Sequence, residues 1–138
     1  MKIVQTTAAA MLAVILAAGT AAADDTANTQ IVQAYYAALN AADLGQSMTF
    51  MADDVVFINP NGTFTGLAAV KESLVAVIRD KLTFDLSNFK DADGRVTYDY
   101  VVKMDGAAIE TGTTGLTVVK AGKIVFDGTT DTEGMWKH

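Results

Sequence analysis

Cysteine is absent from the 138 residues, and histidine occurs once, as the final residue His138. Without a thiol there is no disulfide framework, no thiolate metal ligand and no cysteine nucleophile. A lone histidine at a chain end leaves a serine nucleophile without a base and a transition metal without an imidazole cluster. Positive charge is also scarce: 10 Lys and Arg stand against 16 Asp and Glu, a formal net charge of −6. An acidic surface repels phosphate backbones and anionic headgroups, so nucleic acid and membrane surfaces are not expected as partners. The Asp-rich turns lack the spacing of a calcium loop, and no metal is expected.

The chain opens on Lys2, an apolar run over residues 8–18, and three alanines, Ala21 to Ala23, before Asp24. That is the layout of a secretory signal peptide over residues 1–23. The run is shorter than the ~20 residues a membrane span needs; an uncleaved anchor is the competing reading. The expectation is a periplasmic or secreted domain over residues 24–138. Removing the leader takes away Lys2 and leaves 9 basic and 16 acidic side chains, a net of −7. Those residues suffice for one hydrophobic core, and with no disulfide that core must supply the stability.

Periodicity divides the domain in two. Ile31, Ala34, Tyr35, Ala38 and Leu39 recur at helical spacing and predict a helix ending near Asn40. Asp43 is positioned to cap a short second helix carrying Met48, Phe50 and Met51. Residues 53–59 read as a strand with Val55, Phe57 and Asn59 on one side, broken by Pro60-Asn61-Gly62. A third helix follows Gly66, with Leu67, Val70, Leu74, Val77 and Ile78 on one face. From Leu82 the period becomes two, and four β-rich runs are separated by Asp93-Gly94, Asp105-Gly106 and Ala121-Gly122, each a hairpin turn. Helices first and sheet second predict an α+β domain in which an antiparallel sheet curls over the N-terminal helices.

The segments QAYYAALNAADL, MADDVVFINPNG, FTGLAAVKESL and KAGKIVFDGTTD, in that order, resemble the nuclear transport factor 2-like superfamily. Within it, the resemblance is closest to SnoaL-like polyketide cyclases and ketosteroid isomerases. It implies a cone-shaped domain with a pocket between curved sheet and helices, often a homodimer, with no metal or organic cofactor. Members include isomerases, cyclases, dehydratases, epoxide hydrolases and binding modules, so the fold leaves the chemistry open.

Carried over by position, the resemblance places Tyr35 where the isomerases have an oxyanion-donating tyrosine. Asn59, before Pro60, stands where they have a general-base aspartate, and Thr114 where they have a protonated aspartate. An amide does not accept a proton at neutral pH, so steroid isomerisation of the usual kind is not expected. Phe57, Thr114, Asp127 and Thr129 are the expected pocket lining. Asp131 resembles the carboxylate that often ends the last strand of SnoaL-like domains. The expected ligand is a small oxygenated organic molecule. Tyr35 would stabilise an oxyanion, Asn59 orient the substrate and Asp131 move the proton. Each group also has a plainer reading: Tyr35 as a core aromatic, Asn59 as a turn residue, Asp131 as a solvated strand end. Tyr36 is read as packing. Glu110 is a further carboxylate on the parity of Thr114, and Trp136 covers either the pocket mouth or a dimer surface. A non-enzymatic periplasmic small-molecule-binding module, or a dimeric interaction module with a filled cone, is the alternative function.

Overall fold

A computed structural model describes residues 26–136. The expected signal peptide over residues 1–23 and the terminal His138 lie outside the described residues.

Helix α1 spans Ala27–Asn40, and the Thr26 side chain caps it by accepting from the Thr29 amide. Its buried face is Thr29, Val32, Tyr35, Ala38 and Leu39. Asn40 ends the helix and ties it to the sheet, donating to the Phe84 carbonyl and accepting from the Phe84 amide, both at 2.8 Å. Asp43 caps the short α2, Leu44–Met48, through the Gln46 amide. That helix stops one turn earlier than its apolar residues suggest, because Met51 already opens strand β1, Met51–Asn59. The Asn59–Gly62 reversal returns as a short β2, Gly62–Thr65, which sequence periodicity does not reveal. Helix α3, Leu67–Arg79, follows as expected.

Strands β3 (Leu82–Ala92), β4 (Arg95–Met104), β5 (Ala107–Lys120) and β6 (Lys123–Thr129) correspond to the four β-rich runs. All three dipeptide turns take positive φ at both residues, for example 59° and 95° at Asp93 and Gly94. That conformation matches the right-handed twist of the strands it joins.

The six strands form one sheet in the order β2-β1-β6-β5-β4-β3. It is mixed, not wholly antiparallel: β1 and β6 pair in parallel, with Phe57 opposite Asp127. Tight turns force neighbours in sequence to be antiparallel, but they say nothing of which distant strands meet. The sheet is open, with β2 and β3 as its edges.

Each face of the sheet has its own apolar cluster. The helix side gathers Val32, Tyr35, Leu39, Val55, Phe57, Val70, Leu74, Val96 and Tyr98. The outer side gathers Ile58, Leu116, Val118 and Phe126. A terminal turn α4, Glu133–Trp136, closes over this outer cluster. Trp136 stacks on Phe126 with ring centroids 4.7 Å apart, and Arg95 holds Glu133 by two hydrogen bonds of 2.9 and 2.6 Å. Trp136 therefore sits on the outer face of the sheet, away from the helix side where the pocket lies.

Candidate functional site

Between the helices and the concave side of the sheet lies a cavity of about 550 Å³. Its walls are mostly apolar or aromatic, including Leu39, Phe57, Phe84, Tyr100 and Val102. Asp127 is part of its lining and is only 1 % exposed. Sheet register explains its position. Residues directly opposite on paired strands share a face. Phe57 on β1, Asp127 on β6, Thr117 on β5 and Val96 on β4 form one such row across the sheet.

The carboxylate is held by hydroxyl groups alone. Thr117 Oγ1 donates to Asp127 Oδ1 at 2.6 Å, and Tyr36 Oη donates to Oδ2 at 3.0 Å. Tyr98 Oη lies 2.7 Å from Thr117 Oγ1, 3.2 Å from Tyr36 Oη and 3.4 Å from Asp127 Oδ1. Each hydroxyl has one proton to give. With Thr117 and Tyr36 committed to the carboxylate, the short contact is filled by Tyr98 donating to Thr117. Burial pushes the Asp127 carboxyl up from its ordinary 3.8 to about 7, against the lowering effect of the hydrogen bonds from Thr117 and Tyr36. Desolvation wins because hydroxyl dipoles replace bulk water only in part. The same burial, together with the Asp127 charge, holds Tyr36 and Tyr98 well above the usual phenol range, so both remain proton donors. The arrangement is thus an enclosed carboxyl raised to about 7 beside a hydroxyl donor, Tyr36, in a largely apolar chamber.

The expected site residues distribute unevenly around this centre. Phe57, Asn59, Asp127, Thr129 and Asp131 line the cavity; Tyr35 and Thr114 do not. Tyr35 is fully buried in the helix-side core, and its neighbour Tyr36 reaches the cavity instead. The reading of Tyr36 as packing is corrected: its hydroxyl bonds Asp127, while its ring sits edge-on to Phe84 at 5.3 Å. Adjacent helix residues point about 100° apart, so Tyr35 enters the core while Tyr36 faces the chamber. Thr114 lies exposed on β5, and Thr113 faces the cavity in its place, donating to Glu110 at 2.6 Å. Irregular pairing of β4 and β5 between Tyr100 and Lys103, with Gly112 at φ 77°, sets that parity. A bulge of this kind shifts every later side chain to the other face.

Asn59 borders the cavity, but its amide is already engaged. Its Nδ2 donates to Ser73 Oγ at 3.1 Å, and its Oδ1 accepts from the Asn61 amide at 2.8 Å. Asp131 is exposed at the cavity's edge. Two residues of the network, Tyr98 and Thr117, were not singled out by sequence reasoning as site residues. Strand alternation puts Tyr98 on the same side of β4 as Val96 and Tyr100, but only pairing shows that it meets Asp127.

Tyr35 gives a separable expectation. Its hydroxyl is buried and has no protein hydrogen-bond partner among the described residues. A buried unpaired hydroxyl costs about 1–3 kcal/mol. Tyr35→Phe is therefore expected to hold or raise stability, by up to about 1 kcal/mol in denaturant unfolding, and to leave ligand affinity unchanged. A loss of affinity at unchanged stability would instead show that this hydroxyl reaches the ligand.

A model of the SnoaL-like domain matches residues 32–126. No curated protein matches the chain. Among solved structures, an NTF2-like protein of unknown function from Cytophaga hutchinsonii superposes with a TM-score of 0.64 at 18 % identity, covering 81 % of this chain and 96 % of its own. TerC, co-crystallised with polyporic acid, gives a TM-score of 0.64 at 19 % identity, with 80 % and 96 % covered. A computationally designed 17-OHP binder gives 0.65 at 21 % identity, with 74 % and 88 % covered. Likeness at these identities concerns the fold.

Proposed function

Because the chain belongs to the SnoaL-like domain family, we propose that its cavity binds a small oxygenated organic molecule and moves a proton on it by cofactor-free acid–base catalysis. One observation carries the catalytic part: Asp127 lines the cavity nearly out of contact with water, with its carboxyl near neutrality. A group with a pKa near the working pH both takes and returns a proton efficiently. In this reading the Asp127 carboxylate removes a proton from the bound molecule and delivers it to another position, as isomerisation, cyclisation or dehydration requires. Tyr36 orients the carboxylate by donating a hydrogen bond to it. The carboxylate that sequence reasoning chose for proton transfer, Asp131, borders the opening and lacks the enclosure that favours this role. The small oxygenated ligands named for TerC and for the designed binder support the ligand class.

Binding without turnover is the second reading. It is favoured by Asn59, an amide that accepts no proton where the isomerases have a general-base aspartate. Deuterium incorporation separates the two. A compound bound from an extract of the native compartment is incubated with the protein in heavy water and analysed by mass. Exchange or conversion supports catalysis; a ligand that binds, blocked by the cavity-filling Phe57→Trp, and yet never exchanges or converts sinks it. Export and homodimerisation belong to the same proposal; an N-terminus at Asp24 and a doubled sedimentation mass are the expected results for the native protein.

A further inference from the structure

The charge of the cavity wall narrows the ligand class, an inference that rests on the pocket being the binding site. Twenty of the described residues line the chamber, and among these are three carboxylates, Glu110, Asp127 and Asp131, with no Lys, Arg or His. The basic side chains whose partners are known are turned elsewhere. Lys103 pairs with Asp85, Arg95 with Glu133 and Arg79 with Asp80. Lys123 bonds the Thr49 carbonyl, and Lys120 lies over the Trp136 ring on the outer face. The hydrogen bonds given to Glu110 and Asp127 come from neutral hydroxyls: Thr113 to Glu110, and Thr117 and Tyr36 to Asp127.

An acidic wall without a basic side chain favours a guest that brings positive charge; Asp127 is enclosed, Glu110 half-buried and Asp131 exposed at the opening. The rest of the wall suits such a guest. Tyr36, Phe84 and Tyr100 form a contiguous aromatic surface, with centroids 5.3 Å apart for Tyr36 and Phe84 and 6.4 Å for Phe84 and Tyr100. Aromatic faces attract cations through the ring quadrupole, most strongly where water is excluded. Carboxylate, phosphate and enolate ligands meet repulsion from the same wall.

We propose that the cavity selects an organic cation, an amine in its ammonium form carried on an apolar or aromatic body, over neutral and anionic molecules of the same shape. The ammonium group meets the carboxylates while the hydrocarbon body covers the aromatic surface. A fixed positive charge on the guest also offsets the electron density left behind when Asp127 removes a proton nearby.

The test is a charge series at constant shape. Benzyltrimethylammonium, its uncharged isostere neopentylbenzene, and phenylacetate are titrated into the purified protein and followed by amide chemical shifts of the cavity strands. The expected order places benzyltrimethylammonium at least about tenfold tighter than neopentylbenzene, with phenylacetate weakest. The double variant Glu110→Gln, Asp131→Asn is expected to shrink the cation preference severalfold and to leave neopentylbenzene unchanged. Equal binding of the charged and neutral isosteres, or a preference untouched by the double variant, overturns the cation inference while leaving the pocket reading intact. Failure of all three to shift any cavity residue, with Phe57→Trp giving the same spectrum of responses, overturns both.

Discussion

Replacing Asp127 with Asn is expected to stabilise the protein above neutral pH and to remove its proton-transfer activity in the same step. A carboxyl whose pKa rises on folding, here from 3.8 to about 7, keeps a proton in the folded state that the unfolded chain has already released. Folding is then most favoured below the unfolded pKa and weakens as pH climbs toward the folded one. The slope approaches about 1.4 kcal/mol per pH unit for a single proton, and the whole effect amounts to about 4 kcal/mol. Carboxylates held low act in the opposite sense but in a different window. Hydrogen bonds from Thr26, the Gly94 amide and Asn28 depress Asp91, whose contribution is lost only as pH falls through the acid range. Between pH 5 and 8 the wild-type protein should therefore lose stability as pH rises. Asp127→Asn should flatten that profile, with the two proteins similar near pH 5 and the variant ahead at pH 8 by several kcal/mol, about 3 by this arithmetic. Guanidinium unfolding at four pH values reads it directly. A wild-type profile that is flat or rises with pH would show that Asp127 is ionised in the fold.

The same variant tests the chemistry. An amide neither accepts nor returns a proton, and loss of a positioned acid–base group typically costs about 10²–10⁴-fold in rate. Tyr36, Tyr98 and Thr117 can rotate their hydroxyls to suit an Asn, so the chamber should keep its shape and its ligand. A more stable, still-binding and inactive protein is the signature of a strained functional group. If any turnover found for the wild type survives in Asp127→Asn, the proton is carried elsewhere, with Asp131 and Glu110 the remaining carboxylates of the wall.

Gly115→Ala should be the most damaging small substitution in the sheet. Gly115 is opposite Tyr98 on the neighbouring strand. A methyl group there would press into the edge of the Tyr98 ring, 2.7 Å from Cζ and closer still to Cε2. The ring is 1 % exposed, packed against Phe89 and Tyr36, and its hydroxyl is committed to Thr117. It cannot move aside without leaving that bond. Overpacking costs about 1–3 kcal/mol and a broken buried hydrogen bond about 1 more, so a loss of about 2–4 kcal/mol is expected. Ligand binding should weaken too, because Tyr98 and Thr117 together orient Asp127. In a cycle with Tyr98→Leu the two losses should be strongly non-additive, since the smaller side chain removes the collision. A stable Gly115→Ala protein, within about 0.5 kcal/mol of wild type, would mean that the ring is not confined as described.

Much of this protein follows from local sequence physics. The order of the longer elements, the helix cap at Asp43 and the three tight turns rest on short-range rules, and they stand in the structure where those rules put them. A turn such as Ala121-Gly122 joins its own neighbours whatever the rest of the chain does. Family resemblance added the chamber and placed Asp127 and Phe57 in its wall, where the structure has them.

Tertiary structure decided the rest, because it depends on pairings between distant residues. The parallel meeting of β1 and β6 sets Phe57 beside Asp127, and no local signal encodes it. The irregular β4–β5 pairing turned Thr113 inward and Thr114 outward. Packing of α1 on the sheet, a matter of a few tens of degrees of rotation, chose Tyr36 over Tyr35 as the tyrosine that meets the carboxyl. The character of Asp127 itself is a tertiary property. In sequence it is one of several acidic residues near the C-terminus; only enclosure beneath α1, between Thr117 and Tyr36, removes its water and brings its proton into the neutral range.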